Sequence, residues 1–163
     1  MLIRTATVED WPGIWPFFRR IVAAGETYAY GRNPTEEHGR ATWIEEPPGR
    51  TAVAVDDDGT ILGSAKMGPN RGGPGAHVAT ASFMVDPDQG GRGVGRALGE
   101  HVLQWATAGG YRAMQFNAVV ECNTRAVALW RSLGFEVIGT VPEAFDHPVM
   151  GYVGLHVMYR RLP

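Results

Sequence analysis

The stretch VDPDQGGRGVGRALGE, Val85 to Glu100, constrains this chain more than any other. An apolar run, HVATASFMV, ends at Asp86-Pro87, and Gly90, Gly91, Gly93 and Gly95 follow. Val94, Leu98, Val102 and Trp105 then recur at helical spacing until Gly109-Gly110. The pattern predicts a strand, a glycine loop and a helix. Glycines at a helix start leave backbone N–H groups bare, and the helix dipole adds partial positive charge there, so the loop suits a phosphate. A flexible turn before an ordinary helix is the other reading of the same residues. Spacing removes two phosphate loops. Gly90 and Gly95 fit the glycines of GxxxxGK[ST], but Arg96-Ala97 stands where lysine and a hydroxyl residue are required, which excludes ATP or GTP hydrolysis. GxGxxG fails too: counted from Gly91 or Gly93, the third glycine position holds Arg96 or Leu98, and no βαβ repeat surrounds it.

Around this loop the chain alternates strands and helices. Leu2–Ala6 reads as a short strand, and Asp10–Ala24 as a helix with Ile14, Phe17, Phe18, Ile21 and Val22 on one stripe. Pro12 suits its first turn, whereas Pro16 is expected to kink it. GETYAYGRNP is a loop, and residues 35–46 form a second helix stopped by Pro47-Pro48. TAVAVD and ILGSAKMG pair through the turn Asp57-Asp58-Gly59. AMQFNAVV is a strand; Asn123 caps a helix carrying Ala126, Leu129, Trp130 and Leu133; Gly134 closes it. FEVIGTV (135–141) and GYVGLHVMYR (151–160) are the last strands. The expected fold class is α+β: one domain over 1–163, a mostly antiparallel sheet of about seven strands with about four helices on its faces.

Composition narrows the setting. With 163 residues and a formal net charge of -2, the chain presents no basic field for nucleic acid or an anionic membrane. The start MLIRTATVED lacks the basic and apolar regions of a signal peptide, no apolar run is long enough to span a bilayer, and the single cysteine, Cys122, has no internal partner. A cytoplasmic location is the expectation.

Two signatures now carry a resemblance. Gly90-Gly91-Arg92-Gly93-Val94-Gly95, after Val85-Asp86-Pro87, matches [QR]-x-x-G-x-[GA] except that Gly90 takes the Gln/Arg position, with Gln89 one residue early. Asn123, Ala126, Leu129, Trp130, Gly134 and Phe135 match N-x-x-A-x-x-[LF]-[YW]-x-x-x-G-F. The chain resembles the GCN5-related N-acetyltransferase (GNAT) superfamily over nearly its whole length. It is most similar to the branch of proline-analogue (azetidine-2-carboxylate) and phosphinothricin acetyltransferases.

The resemblance implies acetyl-CoA as donor and no metal. Loop N–H groups would cradle the pyrophosphate, with Arg92 and Arg96 adding charge-assisted contacts. Val78–Val85 would part from Ala113–Val119 to admit pantetheine, whose amides pair with Phe83 and Val85, while a backbone N–H near Met84 or Val85 polarises the thioester carbonyl. Asn123 and Trp130 would flank the coenzyme. The second signature often carries a tyrosine acid where this chain has Trp130, whose indole has no proton to give; Tyr159 is a distant substitute. No acidic residue lies in HVATASFMV. His77, at its start, reads as a loop histidine, and a water held by Thr80 or Ser82 is open as a proton route. Asn117, an amide within an apolar strand, either holds a ligand or pairs with nearby backbone. Cys122 has no basic sequence neighbour to activate it, so direct transfer is expected over an acetyl-cysteine route.

Glu26, Tyr28 and Tyr30 would wall the acceptor pocket, with Thr80 and Phe83 on the strand before the loop; the branch usually has Asn at the position of Thr80. An acidic acceptor would draw on Arg32 or Arg71. The expected partner is a small-molecule amine, an amino acid or proline analogue, with a homodimer as one open assembly. A non-catalytic acyl-CoA sensor, and an enzyme acting on protein N-termini or lysines, are the competing readings. Trp43 with the two tyrosines favours a closed small pocket over a peptide groove.

Overall fold

The chain's apolar residues switch between period two and helical spacing, and each switch becomes an element of the computed structural model, which describes residues 1–163. Strand β1 (Leu2–Thr5) pairs with β2 (Arg50–Val55), β2 with β3 (Ile61–Pro69) and β3 with β4 (Val78–Val85), all antiparallel. Gly59, at φ 86°, turns the β2–β3 hairpin. β4 then runs parallel to β5 (Ala113–Val120), and the helix α3 (Val94–Ala108) makes the crossover that a parallel pair requires. β5 pairs with β7 (Gly151–Arg161) and β7 with the edge strand β6 (Glu136–His147), giving the order β1-β2-β3-β4-β5-β7-β6. The expected α+β class holds: seven strands, mostly antiparallel, with four α-helices.

Helices α1 (Trp11–Ala24) and α2 (Glu36–Trp43) share a core with Val53 and Met84. Helix α3 and helix α4 (Thr124–Ser132) share another with Phe116, Phe135 and Met158, against which Phe83 packs. Neighbouring β4 residues thus serve opposite faces, as the pleat dictates. α3 and α4 touch closely at Gly99, where an added Cβ would lie 2.7 Å from Leu133 Cδ1.

Three boundaries differ from expectation. α1 continues through Pro16 to Ala24 without a break. α2 ends at Trp43 because Ile44 turns extended, at φ -82° and ψ 117°, three residues before the two prolines. β6 runs on from 141 to His147 through Pro142, which an edge strand tolerates because its outer side needs no N–H donor. Register shifts between Val141 and Phe145, and Glu143 at φ 51°, absorb the irregularity. No helix is long and apolar enough to cross a membrane.

Candidate active site

The parallel pair β4–β5 begins and soon stops. Val78 faces Ala113 and Ala79 faces Met114; beyond these the strands part, although β4 continues to Val85 and β5 to Val120. A bulge between Phe116 and Val119 bends β5 at that point. A cavity of about 760 Å³ opens between the strands. A second, of about 330 Å³, meets it from the side of Glu45, Glu46 and Lys66, and both are lined by Tyr30, Thr80, Ser82 and Asn117.

Which backbone groups face the gap follows from alternation. Asn70 N donates to Val78 O and Asp86 N to Leu62 O, so even-numbered β4 residues bond to β3. Ala81, Phe83 and Val85 therefore turn their N–H and C=O toward β5, where no strand meets them. This corrects the expectation for Met84. Its N–H faces β3 and its side chain, 2 % exposed, packs beneath α1, so of the two proposed carbonyl-polarising amides only Val85 faces the gap. The expectation that Phe83 pairs with pantetheine also changes. Phe83 N donates to Tyr28 Oη at 2.9 Å, and the Tyr28 hydroxyl donates to Phe83 O.

The glycine loop lies next to this gap. Gly91 and Gly93 sit at φ 78° and 76°, where an L side chain is strained, and a Cβ on either would touch no protein atom within 4 Å. Conformation, not packing, requires glycine there. Gly93 is the N-cap of α3, and the first helical bond is Ala97 N to Gly93 O, so the N–H groups of Val94, Gly95 and Arg96 have no intrahelical partner. A Cβ on Gly95 would sit 3.8 Å from Val85 Cγ2, which joins the loop to the gap, and Gly90 opens it in extended backbone. The arginines are engaged. Arg92 bonds Asp56 and Gln89, each at 2.8 Å, and Arg96 bonds Ser132 at 2.6 Å and Glu100 at 3.3 Å. The Arg92 guanidinium holds Asp56 below its usual pKa. Each guanidinium keeps further N–H donors beside these bonds, while the bare N–H groups and the helix dipole are the loop's unengaged anion-binding elements.

The aromatic wall forms as a stack. Tyr28 and Tyr30 lie 5.3 Å apart with planes 14° apart, and Trp43 meets Tyr28 edge-on at 6.2 Å. Burial raises the pKa of both tyrosines, so both are neutral phenols at working pH. Glu26 lines the larger cavity from an exposed position. Asn123 accepts from Ala126 N at 3.3 Å, a helix cap, and also lines the cavity. Trp130 is 7 % exposed and packs 4.6 Å from the Phe83 ring, on the cavity wall.

Asn117 is not the buried amide the sequence suggested. It is exposed at the bulge, accepts from Gln115 Nε2 at 2.9 Å and donates to Asn70 Oδ1 at 2.7 Å. It stands where the two cavities meet. Tyr159 is paired with Gln115 and Glu136, and neither it, His77, Arg32, Arg71 nor Cys122 lines either cavity. Cys122 packs instead against the small cluster of Val120, Phe145 and Val153. No group of three or more His, Cys, Asp or Glu side chains is placed to hold a metal.

Other residues enter that sequence reasoning passed over. Arg20 of α1 lines the cavity and reaches Asp88 at 2.8 Å, tying α1 to the start of the loop. Lys66 donates to Thr42 O at 2.8 Å and lies 3.4 Å from Glu45, placing a cation in the smaller cavity. These partners are far apart in the chain, and no local pattern announces them.

The arrangement fits coenzyme A: bare amides at a helix start for the pyrophosphate, and a strand edge with free backbone groups for an extended amide arm. Comparison with known proteins agrees. A family model described as "Acetyltransferase (GNAT) family" matches residues 15–135. The L-methionine sulfoximine/L-methionine sulfone acetyltransferase of Pseudomonas aeruginosa is 32% identical over 145 residues, 86% of this chain and 83% of that protein. N-acetyltransferase aca1 of Schizosaccharomyces pombe is 29% identical over 97 residues; the match takes in 60% of this chain and only 46% of that protein. Among solved structures, a GCN5-related N-acetyltransferase from Kribbella flavida superposes with a TM-score of 0.96 at 64% identity, covering 99% of this chain and 97% of that one. A phosphinothricin acetyltransferase from Sinorhizobium meliloti, solved in complex with AcCoA, gives 0.87 at 25% identity, covering 99% and 88%. With the parted strands and the glycine loop, the family match over most of its length makes this chain a member of the GNAT acetyltransferase family.

Proposed function

We propose that this protein moves the acetyl group of acetyl-CoA directly to the amine of a small amino-acid-like acceptor. The observation that carries the proposal is the gap between β4 and β5, reached by one cavity beside the glycine loop and by another beside Lys66 and Glu45. Donor and acceptor can meet there from opposite sides. Acetyl-CoA supplies an activated thioester: the amine forms the new C–N bond, the C–S bond breaks, its electron pair leaves as CoA thiolate, and the amine's proton passes to solvent.

The protein's own groups do the rest. In this reading the Val85 N–H, which faces the gap, polarises the carbonyl. The N–H groups of Val94, Gly95 and Arg96 hold the pyrophosphate, and the cap Asn123 lies along its path. Thr80 and Ser82 point to the face shared by the two cavities and can hold the water that takes the proton. Lys66 offers a cation to an acceptor's carboxylate. The similarity to a methionine sulfone acetyltransferase favours an amino acid with a polar side chain.

Thiol release from acetyl-CoA is the test, measured against L-methionine sulfone, phosphinothricin, azetidine-2-carboxylate, other free amino acids and polyamines. Turnover with one of the first three is the expected result. Silence with every amine would make the protein an acyl-CoA sensor instead. Acetyl-CoA at about 100 times its Kd should stabilise the fold by roughly 2.7 kcal/mol, a rise of roughly 5–10 °C in Tm. An unmoved Tm at saturation removes the coenzyme site altogether.

A second copy of the chain is the partner we propose for the outer hairpin. Ile138, Val141, Val149, Met150 and Tyr152 are exposed there, on and between β6 and β7. Light scattering should read twice the chain mass; a monomer at high concentration ends the proposal.

A further inference from the structure

We infer that the Tyr28 hydroxyl orients the attacking amine, an inference that rests on acetyl transfer being the reaction. Phe83 is one of the β4 residues whose backbone turns toward the gap. A side chain from the α1–α2 connection, 55 residues away in sequence, takes the place a neighbouring strand would have filled. The phenol oxygen has one proton and two lone pairs. Its proton goes to Phe83 O, and one lone pair accepts Phe83 N–H at 2.9 Å. One lone pair remains, so all that Tyr28 can still bind is a donor.

The chemistry of the gap supplies such a donor. An amine attacks through its lone pair, and an N–H held by Tyr28 Oη fixes where that lone pair points. Burial keeps the phenol neutral, so it competes for no proton and takes none in the reaction. The stack on Tyr30 and the edge of Trp43 stop the ring from swinging. Thr27, Tyr30, Thr80 and Ser82, the other hydroxyls lining this cavity, make no side-chain hydrogen bond to the protein that would fix where their lone pairs point.

Tyr28→Phe keeps the stacked ring and removes the oxygen. The acceptor is L-methionine sulfone, or the amine with the highest turnover in the screen above. The expected result is a fall of about thirty-fold in kcat/KM for the amine, consistent with losing one reactant-positioning hydrogen bond. Calorimetry should show CoA bound with unchanged Kd, and the same amine bound about ten-fold more weakly to the CoA complex. Wild-type transfer by Tyr28→Phe overturns the inference and leaves the acetyltransferase intact. Loss of CoA affinity in step with turnover also overturns it, because Tyr28 would then only brace β4. A wild-type protein inert toward every amine sinks both this inference and the reaction it rests on.

Discussion

Gly93→Val is expected to weaken coenzyme A binding by about 100-fold or more, equivalent to about 2.8 kcal/mol. The residue caps α3 at φ 76°, in the left-handed region. A β-branched side chain there loses roughly 1–2 kcal/mol or more if the backbone stays, and the backbone relaxes instead. Relaxation re-aims the N–H groups of Val94, Gly95 and Arg96, which are the loop's free donors. The arginines, tethered to Asp56, Gln89, Ser132 and Glu100, can add charge beside the loop but cannot replace its backbone cradle. Because a Cβ at this position meets no protein atom within 4 Å, the core is untouched and the variant should fold. Calorimetric titration with CoA reads the affinity, and thermal melting without ligand reads the fold. Wild-type affinity in the folded variant would place the phosphates elsewhere. Gly95→Val tests a different thing: its Cβ would lie 3.4 Å from Leu129 Cδ2, so the larger side chain presses α4 as well as the loop.

What the sequence disclosed about this site was local. The loop glycines, the Asn123 cap and the Trp130 stripe each depend on neighbours within a turn or two, and each stands where its spacing placed it. What it hid was non-local. The parity of β4 is set by its register with β3, so nothing in HVATASFMV says that Met84 faces inward while Val85 faces the gap. Tyr28 reads as an aromatic wall residue until the fold brings its hydroxyl to Phe83. Arg92 reads as a phosphate ligand, and nothing near it in sequence shows that Asp56, just past β2, pairs with it at 2.8 Å. Asn117 reads as buried because its strand is apolar, but the bulge that bends β5 also turns this residue outward. The extension of β6 escaped notice for a related reason: Pro142 argues against a strand only where both sides of the strand are paired.

The absence of a tyrosine at position 130 makes the last expectation a contrast between two residues. Trp130→Ala should cost about 3–5 kcal/mol of stability, because the ring is 7 % exposed and sits 4.6 Å from Phe83 and 4.9 Å from Phe116. Trp130→Phe refills part of that space and should fold. An indole N–H does not titrate in the working range, so this variant should keep the shape of the wild-type pH–rate profile. Asn117→Ala should behave oppositely. The residue is exposed, so melting should barely move, but its amide stands at the junction of the two cavities, bonded to Gln115 and Asn70. Removing it frees those two side chains at the point where acceptor and thioester must meet. The expected fall in kcat/KM is about ten-fold, the effect of one good hydrogen bond lost near the reacting atoms. Thiol leaving groups are acidic enough to depart unprotonated, so a protein acid in place of Trp130 is not required. A changed pH profile in Trp130→Phe, together with wild-type kcat/KM in Asn117→Ala, would reverse these assignments and put the proton chemistry on the α4 side of the gap.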